Sequence, residues 1–436
     1  MTYWKLIVEG FGKINKAEIE LAPMTLIVGD NNSGKSYLLS LAWAVRKLAD
    51  EIFSQDSFSR ESCDEADELR SSFQNAIERA KNTGTADVKF RLISSQLEMI
   101  MNRILERRKE WLINRIFNSD CVNVKRIALK MPVDSLGTIR IDSFQNRVIV
   151  QISNKGVMNF SPDFCLDTKE LADLIIQAAA EWSLSLSFVT YMPAARTGFM
   201  MSKDIINKYA RKQTFARIEA DEQQAVQPFA LPVLDFLDVM NDLSQDQAGE
   251  EKYKDIAAFI QRMTQGNVEI SGLPSHELSY VPDGGDKKYP FRAVSAVVTE
   301  LAPLLLMLSH QKKISGLFYE EPEMCLHPAL QKRMGQVLAR LVNAGADVVA
   351  TTHSDIILQH INNMIRLKWM KKDPKDYGFE TADLIEKEKV RVYQMSGCKD
   401  GTTEVKELRC SDNGFAVPTF NDALDDIMED VIQIQS

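Results

Sequence analysis

A phosphate-binding pattern occurs near the start of the chain. Its residues are Gly29, Asp30, Asn31, Asn32, Ser33, Gly34, Lys35 and Ser36. They match G-x-x-x-x-G-K-[ST] at every fixed position. Glycine lets such a loop turn its backbone N–H groups toward a phosphate, and the N-terminus of a following helix adds partial positive charge. Lys35 can reach the β- and γ-phosphate oxygens, and the Ser36 hydroxyl can bind Mg²⁺. These residues predict a nucleotide site.

Two adjacent carboxylates follow an apolar stretch later in the chain. Glu320 and Glu321 end the run GLFYEE at residues 316–321. Open α/β sheets bind their ligands at the carboxyl ends of their strands. One carboxylate would hold the Mg²⁺ shell, and the second would orient or deprotonate an attacking water. An exposed acidic turn is the alternative, and the phosphate-binding loop favours the catalytic interpretation.

A third apolar stretch leads to a histidine. His353 follows residues 347–352, DVVATT, and precedes a helix-like run. A lone histidine is more often structural than functional. The strand–TTHS–helix context favours a polar group that faces the γ-phosphate side of the site.

Alternating strands and helices must position these residues. Apolar runs at 24–28, 314–319 and 346–351 predict strands. The helices predicted after the motifs cover residues 36–48, 328–343 and 354–362, and a further helix covers residues 296–309. Such alternation is typical of an α/β fold with a mainly parallel sheet. Short alternating runs within 121–160 predict antiparallel strands.

Composition limits the class of protein. The chain has 436 residues, of which 45% are hydrophobic and 26% charged, and its net charge is -9. A wholly basic nucleic-acid coat is therefore excluded, although a local basic patch is not. The six scattered cysteines form no CxxC pair, which argues against structural zinc and disulfides. We expect a cytoplasmic protein without a membrane partner, because neither a signal-like N-terminus nor an apolar run of bilayer length occurs.

Together, the three motifs resemble the ATPase heads of the ABC type, in the branch that includes RecF, SMC proteins and the OLD-family ATPases. The stand-alone AAA-type members in bacterial anti-phage defence systems are the most similar. GDNNSGKS resembles their GxNxSGKS loop, EEPEMCLHP their EEPExxLHP segment, and TTHSDIIL their histidine loop. The opening LIVEGFGKINKAEIEL resembles their first hairpin. The resemblance covers residues 1–48 and about 290–436 well, and is loose in between.

This resemblance implies one discontinuous ABC-type P-loop NTPase head. It would have a mixed central sheet, an antiparallel β subdomain and helical insertions. The implied segments are a nucleotide-binding core at 1–49 and 290–436, a helical insertion at 50–120, a β subdomain with a return strand at 121–198, and a helical and β lobe at 199–289 that leads to the signature motif.

The resemblance also implies roles, with ATP and Mg²⁺ as the bound groups. Glu320 would be the metal-shell carboxylate, Glu321 the catalytic glutamate and His353 the switch histidine. The loop that faces a second head would contain Leu326, His327 and Pro328.

Two further residues become candidates through the resemblance. RAVSAVVTELAPL, at 292–304, resembles the SSxxxEL form of the signature motif that a head donates to its partner's ATP, with Ser295 as the retained serine. The glycine pair of the motif is missing, and a buried amphipathic helix is a compatible alternative. YMPAARTG, at 191–198, resembles a Pro-Ala-x-Arg turn. Arg196 is therefore a candidate for sensing phosphate or contacting a neighbouring chain, with a surface arginine as the alternative.

The implied function is a Mg²⁺-dependent switch ATPase that forms a head-to-head homodimer or a higher homo-oligomer around ATP. In a defence system it would sense infection and control a separate effector, such as a nuclease or toxin. We expect no TOPRIM-like domain, because only about 80 residues follow His353 and the acidic run DALDDIMED among them is typical of the solvated face of a helix. We therefore expect the effector on another chain.

Two other functions remain open. A RecF-like repair or chromosome-maintenance ATPase would bind DNA directly through basic residues near 103–115 and 207–217. The apolar stripe beside the first of these groups, from Leu97 to Leu105, favours an ordinary amphipathic helix over a basic contact surface. The second alternative is a scaffold that binds ATP with little turnover.

Overall fold

The computed structural model describes most of the chain. The described residues are 3–61, 63–132, 137–144, 147–152, 156–160, 167–184, 188–203, 205–206, 229–243, 247–271, 277–311, 313–411 and 414–417. The predicted basic group at 207–217 and the acidic run near the C-terminus lie outside them. None of the described helices is both long and apolar enough to cross a bilayer.

The elements follow the predicted alternation. The strands are β1 (Lys5–Phe11), β2 (Ile14–Glu20), β3 (Met24–Gly29), β4 (Thr85–Lys89), β5 (Arg126–Lys130), β6 (Thr138–Phe144), β7 (Arg147–Ile152), β8 (Gly156–Phe160), β9 (Val189–Met192), β10 (Gly266–Ile270), β11 (Leu278–Pro282), β12 (Tyr289–Pro290), β13 (Gly316–Glu320), β14 (Asp347–Thr352), β15 (Val390–Gly397) and β16 (Thr403–Leu408). The α-helices used below are α1 (Lys35–Lys47), α2 (Ala49–Ile52), α3 (Gln55–Ser59), α4 (Asp64–Thr83), α5 (Ser94–Phe117), α6 (Thr168–Leu184), α7 (Leu231–Asp242), α8 (Lys254–Thr264), α9 (Ala296–His310), α10 (Pro328–Asn343) and α11 (Asp355–Met370).

The chain divides into two compact units. The first is drawn from residues 1–21, 44–114 and 119–187, and the second from residues 22–43, 115–118 and 188–436. Every candidate site residue lies in the second unit. The segment boundaries implied by the resemblance are a different division of the chain and stay predictions.

Antiparallel pairing dominates the first unit. β5, β1 and β2 pair in that order, and β4, β6, β7 and β8 form a separate antiparallel sheet. The helix α4 leads into this second sheet and ends at Gly84, whose φ of +90° provides the left-handed cap that glycine adopts without strain. The antiparallel β subdomain of the predicted fold is confirmed.

Helix α5 of the first unit is amphipathic. Its apolar stripe, including Leu97 and Leu105, is buried. Its basic side chains contact acidic or carbonyl groups nearby: ion pairs join Arg103 to Glu65, Arg107 to Glu61 and Lys109 to Glu106, and Arg108 donates to the carbonyls of Glu51 and Ile52. These contacts support the amphipathic-helix interpretation, because these four cations are already engaged within the protein.

The sheet of the second unit places the three motifs at one edge. Its strand order is β16-β15-β3-β14-β13-β9, and every neighbouring pair except β15 and β16 is parallel. Thr352 pairs with Val28, and Thr351 pairs with Glu320, so the carboxyl ends of β3, β14 and β13 lie side by side. The apolar runs of these strands are buried, as expected for central parallel strands. The predicted mixed α/β fold is confirmed.

Helix α9 lies in the core of the same unit. Its residues from Val298 to Leu308 are all buried, which fits its nearly uniform apolar composition. Tyr253, at the start of α8, donates from its hydroxyl to the carbonyl of Ile314, 2.8 Å away, just before β13. Helix α9, which follows Ser295 of the predicted signature motif, is therefore part of the core.

Candidate nucleotide-binding site

The phosphate-binding loop is anchored to the neighbouring strand β15. The Asp30 amide donates to the Met395 carbonyl at 3.2 Å, and the Asp30 carboxylate accepts from the Gly397 amide at 3.2 Å. Gly29 has a φ of +133°, and a Cβ there would lie 2.0 Å from the Met395 oxygen. Only glycine fits this close approach, so the loop starts from a fixed position.

The loop then turns its backbone toward an open space. Asn32 and Gly34 adopt positive φ values of 59° and 96°, and the Ser33 hydroxyl donates to the Asp30 carbonyl at 2.8 Å. The amides of residues 31–34 donate to no acceptor within the described part of the chain. Unsatisfied amides at a helix N-terminus are a ready site for an anion, and α1 begins directly after them. The arrangement fits a phosphate.

Lys35 lies beneath this loop. Its side chain is buried, and its ammonium group donates to the carbonyls of Gly29 and Asp30 at 3.1 and 2.6 Å. Burial lowers the pKa of Lys35, while the carboxylates of Glu321 and Asp30 oppose that shift. A phosphate group would offer anionic oxygens in place of the two neutral carbonyls.

The carboxylate of Glu320 is held by two donors at the end of β13. The Tyr191 hydroxyl donates to one oxygen at 2.5 Å, and the Ala194 amide donates to the other at 2.8 Å. Burial, and then the charge of Glu320, raise the pKa of Tyr191 well above its ordinary value, which keeps this hydroxyl neutral. The same hydroxyl lies 3.1 Å from the Ser40 hydroxyl of α1.

The Tyr191 bridge brings the predicted metal ligands to one side of α1. Ser36 is exposed and lies one helical turn before Ser40, so the two side chains share a face. Groups of three or more His, Cys, Asp or Glu side chains that could hold a metal do not occur among the described residues. Mg²⁺ commonly takes one or two carboxylates and completes its shell with phosphate oxygens and water. Ser36 and Glu320 fit such a site.

Glu321 occupies a strained backbone position next to His353. Its φ is 41°, and its amide donates to the Thr351 carbonyl at 3.0 Å. A non-glycine residue in this conformation costs energy and is common at functional sites. The Glu321 carboxylate lies 4.0 Å from the His353 ring. Burial, and then the charge of Lys35, lower the pKa of His353, so the ring is neutral at neutral pH.

A third carboxylate, Glu323, positions His353, and sequence reasoning did not assign it a role. One oxygen accepts from the His353 amide at 2.6 Å, and the other accepts from the Thr352 hydroxyl at 2.8 Å. Burial raises the pKa of Glu323. Its signal was present, because it is the third glutamate of the segment EEPEMCLHP.

We expect Glu323→Ala to lower the turnover number for phosphate release by about tenfold with ATP affinity unchanged, because a displaced His353 would no longer meet the γ-phosphate. An alanine has no side-chain oxygen, so the His353 amide and the Thr352 hydroxyl would both lose their acceptor. The measurement is a double-mutant cycle with His353→Asn. If Glu323 acts through His353, its replacement has no further effect on turnover in the His353→Asn background. Additive losses would contradict this role.

Arg196 lies inside the second unit. The side chain is 0% exposed, so the surface alternative is wrong. Its guanidinium donates to the carbonyls of Pro193, Glu320 and Glu321 at 2.8, 2.7 and 3.1 Å. Its Nε lies 2.9 Å from the Glu300 carboxylate, which is also buried. Arg196 therefore supports the backbone that carries Glu320 and Glu321, and a role toward phosphate or a neighbouring chain stays a prediction.

Ser295 lies at the first turn of α9. It is exposed, its hydroxyl makes no capping hydrogen bond, and its carbonyl accepts from the amides of Val298 and Thr299. No hydrogen bond joins it to the phosphate-binding loop within the part of the chain that the structure describes. One turn further along, Glu300 accepts from the Thr197 amide at 3.0 Å as well as pairing with Arg196.

The predicted partner-facing loop lies before α10. Leu326 is buried, whereas His327 and Pro328 are exposed. The His327 ring accepts from the Ala329 amide at 3.3 Å and so caps α10, and Pro328 begins the helix. The two exposed residues are accessible to a second chain.

The fold and this geometry are those of a mixed α/β protein with a phosphate-binding P-loop at the carboxyl ends of its central strands. One sheet edge combines a phosphate-binding loop, two carboxylates and a histidine. The protein family described as "AAA ATPase domain" matches residues 199–358. That range includes Ser295, the Glu320–Glu321 pair and His353, and it ends before β15. No curated protein matches the sequence significantly.

Among solved structures, the chain is similar to SMC head domains. One, bound to the C-winged helix domain of ScpA, is 15% identical with a TM-score of 0.37, and the match covers 93% of this chain and 97% of that one. An SMC head from Thermotoga maritima is 10% identical with a TM-score of 0.34, over 94% and 100% of the two chains. A third head, with an extended coiled coil and bound to the C-terminal domain of ScpA derived from Pyrococcus furiosus, is 15% identical with a TM-score of 0.35, over 100% of both chains.

Proposed function

We propose that this protein is a Mg²⁺-dependent switch ATPase that dimerises head to head around ATP. The observation that carries the proposal is the meeting of the phosphate-binding loop, Glu320–Glu321 and His353 at one edge of the sheet. Strand register alone would bring the three segments together. In addition, Lys35, Glu320 and the backbone of His353 are each held by hydrogen bonds of their own, which supports a site in which all of them act.

Each residue would have a distinct task. Lys35 and the loop amides bind the phosphates, and Ser36 and Glu320 hold Mg²⁺, which neutralises charge on the phosphate oxygens. Glu321 orients the attacking water and accepts its proton. Neutral His353 contributes a hydrogen bond on the γ-phosphate side. Positioning and charge stabilisation account for most of the catalysis of phosphoryl transfer.

A second copy would complete the site. Ser295 is exposed at the N-terminus of a helix, where the hydroxyl and the first amides can bind an anion. Its exposure leaves Ser295 accessible to the ATP of a partner. The missing glycine pair leaves fewer free amides for that contact, so ATP closure would be weaker than with a complete signature motif.

We further propose that ATP closure controls a separate effector in an anti-phage defence system. The resemblance of GDNNSGKS, EEPEMCLHP and TTHS to stand-alone defence ATPases supports this role. The ion pairs of α5 count against the RecF-like alternative, because they engage Arg103, Arg107 and Lys109 of the basic group that this alternative would use to bind DNA.

The nucleotide site is tested by Lys35→Ala. Loss of the ammonium removes charge-assisted hydrogen bonds to phosphate, so we expect ATP binding at least about tenfold weaker and phosphate release abolished. Isothermal titration and a phosphate-release assay measure both. Lys254→Ala, an exposed lysine paired with Glu251, is the matched control and should change neither. Tight ATP binding by Lys35→Ala would show that the loop does not bind phosphate.

A further inference from the structure

Helix α11 ends in an exposed surface of basic and aromatic side chains. This surface lies at the opposite end of the helix from His353. We define the basic end of α11 as Arg366, Lys368, Trp369, Lys371, Lys372 and Tyr377. Trp369 is 64% exposed and Tyr377 is 51% exposed. The face of α11 that packs against the protein instead contains buried residues such as Ile365 and Leu367. Trp369 therefore presents its indole to solvent rather than anchoring the helix.

The cations of this surface differ in their pairing from those of helix α5. None of its four lysine or arginine side chains forms an ion pair with another described residue, unlike Arg103, Arg107 and Lys109 of α5. The nearby acid Asp373 accepts from the Lys375 amide, which leaves that carboxylate engaged with backbone. Four cations that pair with no acid among the described residues lie within seven residues of a chain with net charge -9, and they form a local positive patch.

Helix stability explains only part of this composition. Cations in the last turn of a helix interact favourably with its dipole, which accounts for Lys368 and Lys371. The dipole does not account for an exposed tryptophan, nor for Tyr377 beyond the helix. Lys372 donates to the Tyr377 hydroxyl at 3.0 Å and lies 5.3 Å from its ring centre. This contact holds a second aromatic ring beside the cations.

We propose that the basic end of α11 binds a single-stranded nucleic acid. Exposed aromatic rings stack on unpaired bases, and neighbouring cations contact the phosphates, which together make a binding surface of low sequence preference. A duplex keeps its base faces stacked inside and offers nothing to Trp369. An acidic protein segment would satisfy the cations but has no planar faces for the two rings. The proposal does not depend on ATP turnover.

The position of the surface relates it to the ATPase site. Ser354 caps α11 directly after His353, and its hydroxyl accepts from the Ile357 amide at 3.1 Å. A helix of 16 residues spans about 24 Å. The γ-phosphate histidine and the proposed strand-binding surface thus lie at opposite ends of one helix.

The experiment measures binding of a fluorescein-labelled oligothymidylate to the full-length protein by fluorescence anisotropy at several salt concentrations. We expect Trp369→Ala to weaken binding roughly 5- to 100-fold, and Trp369→Phe to retain most of the affinity. Lys371→Ala with Lys372→Ala should lower the slope of log affinity against log salt by about 1.4. The matched control is Lys254→Ala with Lys406→Ala, two exposed lysines that are paired with glutamates.

Other results would overturn the proposal. The proposal fails if the wild type does not bind the oligonucleotide or if Trp369→Ala leaves binding unchanged. It also fails if the control variant loses affinity equally or if duplex binds as tightly as the single strand. Poly-glutamate bound with the same Trp369 dependence, in place of the oligonucleotide, would assign the surface to an acidic protein partner. All the substituted side chains are exposed, so each variant should fold.

Discussion

Glutamine at position 321 should reduce steady-state phosphate release by about 10²- to 10⁴-fold and leave ATP binding intact. The substitution keeps the size and shape of the side chain. A neutral amide cannot accept the proton of the attacking water, so the loss should appear in the turnover number and not in ATP affinity. Phosphate release and isothermal titration with ATP measure the two quantities separately.

The backbone of Glu321 explains why this residue, and not a neighbour, should dominate. Its φ of 41° directs it away from the strand that delivers Glu320, and the Thr351 carbonyl and hydroxyl fix its amide. The side chain is 35% exposed and therefore open to water, whereas Glu320 is held by two donors. The two adjacent carboxylates thus have different environments, as expected for a metal ligand beside a base.

The same variant should trap a dimer. ATP that is bound but not hydrolysed would keep two heads closed, so size-exclusion chromatography with ATP should shift the 49.3 kDa chain toward twice its mass. Glu251→Gln, at an exposed carboxylate in the same unit, should behave as wild type. Turnover retained by Glu321→Gln would remove Glu321 from catalysis, and a monomer peak that ATP leaves unchanged would count against head-to-head dimerisation.

Local sequence signals were sufficient for the elements that carry the motifs. Continuous apolar runs before Gly29, Glu320 and His353 indicated buried parallel strands, and the structure places β3, β13 and β14 there. Helix α10 runs over residues 328–343 as predicted. His327 caps it and Pro328 begins its first turn, and both signals are visible in the local sequence.

Contacts between distant residues were not predictable from one sequence. Helix α11 was expected to end at 362, but it continues to Met370. The Asn362 side chain is buried and exchanges hydrogen bonds with the backbone of Phe415, at 2.8 and 2.9 Å. An asparagine satisfied by a segment 53 residues away no longer competes with the helix backbone. The short polar strand β4 was missed for a related reason, because only its pairing with β6 defines it.

Arg196 shows the same limit at the site itself. Its local turn suggested an arginine that senses phosphate or contacts a neighbouring chain, with a surface arginine as the alternative. Its partners inside the protein are Glu300 and the carbonyls of Glu320 and Glu321 at the end of β13, all far along the chain from Arg196. These partners meet only in the folded unit, so a structural ion pair could not be distinguished from a functional arginine by sequence pattern alone.

Replacing Arg196 with lysine should lower both stability and turnover. A lysine keeps one charge but cannot contact Glu300 and three carbonyls at once. We expect a loss of about 1–3 kcal/mol in the free energy of unfolding. We also expect phosphate release per folded molecule to fall by roughly 10- to 100-fold, because the backbone that carries Glu320 and Glu321 loses its support. Urea unfolding and a phosphate-release assay corrected for folded fraction measure the two effects.

Arg340 provides the matched control for this second effect. It is also buried, pairs with Asp383 at 2.6 Å and stacks on Phe259, but within the described part of the chain it has no hydrogen bond or ion pair to Glu320 or Glu321. Arg340→Lys should therefore lower stability similarly and leave turnover per folded molecule unchanged. Arg196→Ala is the stronger variant, because it leaves Glu300 buried without its partner at a cost of about 3–5 kcal/mol.

The comparison separates support of the site from support of the fold. If Arg196→Lys and Arg340→Lys lower stability alike and both keep full turnover, Arg196 is a structural ion pair only. If Arg196→Lys alone loses turnover, the carbonyls of Glu320 and Glu321 require this guanidinium for the geometry of catalysis. Glu300→Gln then tests the link to α9. Glu300 of this helix pairs with Arg196, and Arg196 donates to the carbonyl of Glu321. Loss of the Glu300 charge should therefore also reduce turnover.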